Sequence, residues 1–88
     1  MYDKLVDEFE KKEVEIKTTI EMNEGRTIKF KKDDNEYFIL SPSPKNNGYQ
    51  LTNFIDNVPM YDINSKSPID NDIIDVLALN DCEIKTIL

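Results

Sequence analysis

Five carboxylates fall within fourteen residues near the end of this chain: Asp70, Asp72, Asp75, Asp81 and Glu83, with Lys85 the only cation close by. Acids at such spacing can bind a divalent cation, act as general acids and bases, or present a run of negative charge to Arg and Lys side chains that ordinarily grip phosphate. The cation reading falters on the ligand pattern. Asp70-Asn71-Asp72 opens like a calcium loop, but the fifth position is Ile74, no glycine follows, and Glu83 lies two residues late for the closing ligand. Acid–base and nucleophilic chemistry lack partners, because histidine is absent and Cys82 is the only cysteine. The same inventory removes disulfide frameworks and Cys/His zinc sites. Cys82 reads as a small buried hydrophobe at the start of a strand. Gly25 and Gly48 are the only glycines, so no phosphate-cradling loop exists. No cofactor, no metal and no enzymatic activity are expected.

What remains is charge. The 88 residues carry 18 acids against 11 bases, a net −7. That balance argues against nucleic acid or an anionic membrane as a direct ligand, since both require basic patches. Residues 46–88 hold 7 acids and 2 bases, whereas residues 1–45 hold 11 and 9. A partner-binding anionic surface is therefore expected from Asp70, Asp72, Asp75 and Asp81, with Asp56 and Asp62 as secondary candidates. A different class of function, an adaptor binding by apolar contact or edge-strand addition, would use Tyr37/Ile39 or the region around Pro59. Tyr37, Phe38, Tyr49, Phe54 and Tyr61 read as core and not as a nucleobase platform, because the fourth and fifth strands bring no Lys or Arg with them.

The elements that must position these groups follow from periodicity. Tyr2, Leu5, Val6 and Phe9 recur at helical spacing and predict a helix of about three turns, closed by Lys11-Lys12. From Glu13 the period changes to two: Val14, Ile16, Thr18, Ile20 and Met22 alternate with polar residues and predict a strand. Gly25 then turns the chain into Thr27–Lys31, pairing Ile20 with Ile28 and Thr18 with Phe30. Asp33-Asp34-Asn35 makes a turn into Glu36–Leu40, apolar on both faces, which predicts a central strand with one helix over each face. A breaker-rich loop over Ser41–Gly48 leads to a strand from Tyr49 to Ile55 and a tight turn at Asp56-Asn57. Val58–Ile63 is a short strand that Pro59 confines to an edge. Ser67-Pro68-Ile69-Asp70 starts a helix that Asn80-Asp81 ends, and Cys82–Leu88 forms a last strand. The expected architecture is a single α+β domain, residues 1–88, with an antiparallel sheet of four to six strands and two helices.

Two resemblances bear on function. Leu5-Val6 to Phe9 with Lys11-Lys12, the alternating stretch Val14–Ile20, the strand Thr27–Lys31 and the turn into Asn35-Glu36-Tyr37 resemble the small acidic anti-CRISPR proteins of phages. That family blocks a CRISPR nuclease by occupying its DNA-reading cleft. The likeness covers residues 1–42, and the second half departs from it. It implies a DNA-mimicking, anti-defence inhibitor whose partner is a basic protein, a CRISPR nuclease or another nucleic-acid enzyme, in the bacterial host cytoplasm. Asp70 with Glu83-Ile84-Lys85 resembles the acid and Glu-x-Lys signature of restriction-type nucleases, where carboxylates hold Mg²⁺. The anionic surface repels the substrate that signature would need. No apolar run reaches the roughly 18 residues of a membrane span, and the start does not read as a signal peptide.

Overall fold

The computed structural model describes residues 2–43 and 47–86. They form α1 (Tyr2–Met22), β1 (Ile28–Lys31), β2 (Glu36–Ser43), β3 (Gly48–Ile55), β4 (Val58–Ser65), α2 (Asn71–Leu79) and β5 (Glu83–Thr86). The strands make one antiparallel sheet in the order β4-β3-β2-β1-β5, with β2 at its centre. This is the α+β architecture expected.

The strand expected over Val14–Met22 is instead the second half of a 21-residue helix. Between residues 2 and 22 there is no Gly, Pro or Asn to break the chain. The same residues that alternate also contain a helical stripe, Phe9, Ile16 and Ile20, spaced by seven and four. Ile16 and Ile20 are fully buried, Phe9 packs against them, and Val14 is 65% exposed. Tertiary burial of that stripe overrides the weak helix propensity of a β-branched run. Asn23 ends α1, its backbone N–H and its side-chain amide both donating to the Thr19 carbonyl, at 3.1 and 2.8 Å. Gly25 follows at φ +81°. The expected pairing of Ile20 with Ile28 is replaced: Ile28 lies opposite Leu40 of β2 and Thr86 of β5.

Turn chemistry fixes the meander. Asp33 Oδ1 accepts from the N–H groups of Asn35 and Glu36 at 3.0 and 2.9 Å, which turns β1 into β2. Asp56 and Asn57, at φ +53° and +66°, form the two-residue hairpin between β3 and β4, the conformation that matches strand twist. Strand β2 runs on through Ser41, Pro42 and Ser43, where a loop was expected. Past Leu40 it has no β1 neighbour, so the missing N–H of Pro42 forfeits nothing on that side. At Gly48 a Cβ would collide with the Ser65 carbonyl of β4. Pro44–Asn46 of the expected loop, and the end of the last strand at 87–88, lie outside the described residues.

Both helices pack on the same face of the sheet, not one on each. Ile16 and Ile20 of α1 and Ile73, Ile74, Leu77 and Ala78 of α2 meet Ile28, Phe30, Phe38, Leu40 and Leu51 in one core. Asn53 is buried beside it, and its amide donates to Glu36 Oε2 at 3.0 Å, so its polarity is answered. The opposite face of the sheet carries Lys29, Lys31, Tyr37, Ile39, Thr52, Phe54 and Asp62, and among the described residues no helix or strand lies over it.

Candidate partner-binding surface

Helix α2 starts three residues later than its sequence signal. Asp70, not Ser67, is the N-cap: its carboxylate accepts from the Asp72 N–H at 2.9 Å. Ser67 instead closes a preceding turn, its hydroxyl accepting from the Ile69 N–H at 3.3 Å. The buried stripe Ile73, Ile74, Leu77 and Ala78 then forces Asp72 and Asp75 outward, and both are exposed. The helix ends at Asn80, and Asp81 takes φ +48°.

The six expected acids do not share one surface. Asp72 and Asp75 are on α2, and Asp70 caps its N-terminus. Asp81 is 3.6 Å from Lys12 Nζ, which also donates to the Cys82 carbonyl at 3.3 Å and lies 3.9 Å from Glu15, so Asp81 shares its one cation and stays exposed to solvent. Asp56 sits at the β3–β4 hairpin tip, its N–H bonded to the Asn35 carbonyl at 2.8 Å. Asp70 lies beyond the far end of β4, an eight-residue strand of roughly 26 Å. Asp62, opposite Thr52, is on the open face of the sheet, away from the helices.

Helix α1 supplies the acids that complete the surface. Glu13 faces Asp75 across the α1–α2 contact. A side-chain hydrogen bond with Asp75 raises the Glu13 carboxyl above its ordinary value, helped by partial desolvation and by the charges of Asp75 and Glu10. Asp7, Glu10, Lys11, Val14 and Glu15 line a shallow hollow along the same helix. Across α1 there are seven acids and four bases, and residues 70–81 add four acids and no base. The helical layer therefore carries a net −7, the charge of the whole chain. The remaining residues of the sequence hold seven acids and seven bases, and so no net charge. Glu13 is hidden from sequence reasoning because the alternation that begins there predicts a strand; the spacing of Phe9, Ile16 and Ile20 is the signal that places it on the helix with Glu10.

Among the described residues, the groups that other chemistries would need stand apart. Asp70 spends its carboxylate on the cap, and Glu83 lies beyond the far end of α2, with roughly 14 Å of helix between them. Glu83 is 3.8 Å from Lys85 on the β5 edge. Among the described residues no group of three or more acids, Cys or His could hold a metal ion. Cys82 is fully buried, and desolvation pushes its thiol up to about 11, against the opposing pull of Lys32 and Lys12, which keeps it in the thiol form at neutral pH. Phe38 is core, but Tyr37 and Phe54 stack on the open face at 5.0 Å between centroids and 7° between planes. Lys29 Nζ lies 4.4 Å from the Tyr37 ring centre, and the Tyr37 hydroxyl donates to Asn57 at 3.1 Å. The two rings are engaged with each other, and Tyr37 with Lys29 as well. No described helix is long and apolar enough to cross a membrane. Compared with protein-family models, curated proteins and solved structures, the chain matches none of them.

Proposed function

We propose that this protein is a non-catalytic acidic inhibitor or decoy that engages a basic surface of a partner protein through its helical layer. The supporting observation is the segregation of charge: α1 and α2, with Asp70 and Asp81 that flank α2, account for seven more acids than bases, a number equal to the net charge of the chain. Carboxylates of Asp72, Asp75, Glu10 and Glu13 on adjoining helices offer Arg and Lys side chains what a phosphate backbone offers. The kind of partner this suits is a nucleic-acid-processing or host-defence protein, a CRISPR nuclease among them, in a phage-infected cytoplasm. A free, buried cysteine fits a reducing compartment. One feature of the anti-CRISPR resemblance, the strand at Val14–Ile20, is helix here, so the reading rests on charge and not on that likeness.

The test is capture of a host-lysate partner followed by elution with salt. Elution between roughly 50 and 300 mM NaCl is expected, because exposed ion pairs are screened over that range. Asp72→Lys combined with Asp75→Lys should abolish capture while leaving the melting temperature nearly unchanged. Retained affinity in that double variant, or binding indifferent to salt, refutes the reading.

A further inference from the structure

The uncovered face of the sheet has an order that its register makes explicit. One row across the five strands reads Lys85, Lys29, Ile39, Thr52, Asp62, and the next reads Glu83, Lys31, Tyr37, Phe54, Pro59. Three cations, Lys29, Lys31 and Lys85, thus stand on the β1/β5 side with one acid, Glu83, which is 3.8 Å from Lys85; Asp62 stands on β4, and Ile39, Tyr37 and Phe54 occupy the middle beside Thr52. Tyr37, Ile39, Thr52 and Phe54 are all only partly buried. Because β2 is the central strand of five, a two-fold axis along it lays the sheet on a copy of itself. Strand β5 then faces β4 of the second copy, and β1 faces β3.

That operation matches chemistry as well as strands. Ile39 meets Ile39 and Tyr37 meets Tyr37 at the axis. Lys85 comes over Asp62 of the second copy, Lys31 over Phe54 and Lys29 over Thr52, each contact occurring twice. No cation is set on a cation. Asp62 has no ion-pair partner of its own among the described residues. Three strands of eight residues and two of four span roughly 500 Å² in plan. Side-chain relief brings that toward the ~800 Å² each partner contributes to a standard interface.

The sheet edges are poor sites for growth. Strand β4 carries Pro59, a register shift at Asn53/Phe54 and the charge of Asp62, while β5 has only four residues. We infer that a second copy of this chain packs on the open face, two-fold symmetric about β2, to give a dimer with its sheets face to face. The acidic helical layers then lie outermost on both sides.

Sedimentation equilibrium of the full chain from about 1 to about 500 µM tests this, a range that resolves dissociation constants from micromolar to sub-millimolar. The mass should rise from the 10.3 kDa of one chain to twice that value. Asp62→Lys should weaken association about tenfold, since two ion pairs are lost and like charges meet. Adding Lys85→Glu should restore it. Ile39→Lys places two cations on the axis and should leave a monomer, with circular dichroism confirming the fold. A wild-type mass fixed at one chain throughout the range overturns the inference and leaves the face to solvent or another partner. A dimer indifferent to Asp62→Lys and Ile39→Lys overturns it too, because the contact then lies elsewhere.

Discussion

Replacing Val14 and Ile16 one at a time by Ala distinguishes the helix from the strand that the same residues mimic. In a strand the two side chains would share the buried face, and both losses would be costly. In α1 they point apart: Ile16 is fully buried and Val14 is 65% exposed. Ile16→Ala deletes three carbon atoms from a packed core, which costs about 3 kcal/mol after the small gain in helix propensity. Val14→Ala loses little buried area and gains about 0.5 kcal/mol of propensity, so it should be neutral or slightly stabilising. A domain of this size has a total stability of roughly 4–13 kcal/mol, so the first change removes a large share of it. In melting temperature the difference between the two variants is on the order of 15 °C. Urea denaturation at 25 °C, followed by far-ultraviolet circular dichroism, measures both. Equal losses at the two positions, or a cost above about 1.5 kcal/mol at Val14, would refute the helical assignment.

Two further outcomes follow from the helical layer. Glu13 holds its proton more tightly in the folded chain than its ordinary value of 4.5 implies, so folding is favoured by the proton and disfavoured by ionisation. The relative stability this provides is complete below 4.5 and is lost as pH rises through the raised value. Glu13→Gln should therefore stabilise at pH 7 by about 0.3 kcal/mol at low salt, solvent screening keeping the gain small, and the advantage should vanish near pH 4. An advantage that grows on acidification would reverse the assignment. At the start of α2, Asp70→Ala should cost about 1 kcal/mol in denaturant titrations, and Ser67→Ala clearly less. The opposite ranking would return the cap to Ser67.

Local chemistry made much of the fold legible. Asp33 and the Asp56-Asn57 pair announce their turns because the side chain or the left-handed backbone that makes each turn belongs to the residue itself. Pro59 marked β4 as an edge strand for a similar reason, its missing N–H. Residues 13–22 were not legible in this way. Ile16 and Ile20 satisfy a two-residue and a four-residue spacing together, and only burial against a sheet assembled from distant segments chooses between them. That both helices share one face, and that β5 returns beside β1, also depends on contacts far apart in sequence. The candidate site divides along the same line. The acids of α2 and of the first half of α1 can be read from apolar stripes; Glu13, Glu15 and Glu21 take helical positions only once α1 runs on to Met22.

Gathering the excess charge into one layer gives the molecule a permanent electric moment directed across its thickness. A positively charged target exerts a torque on such a body before any atoms touch, so rotational diffusion is already biased toward helices-first collisions. A chain with the same −7 spread evenly would be attracted as strongly but would arrive in random attitudes.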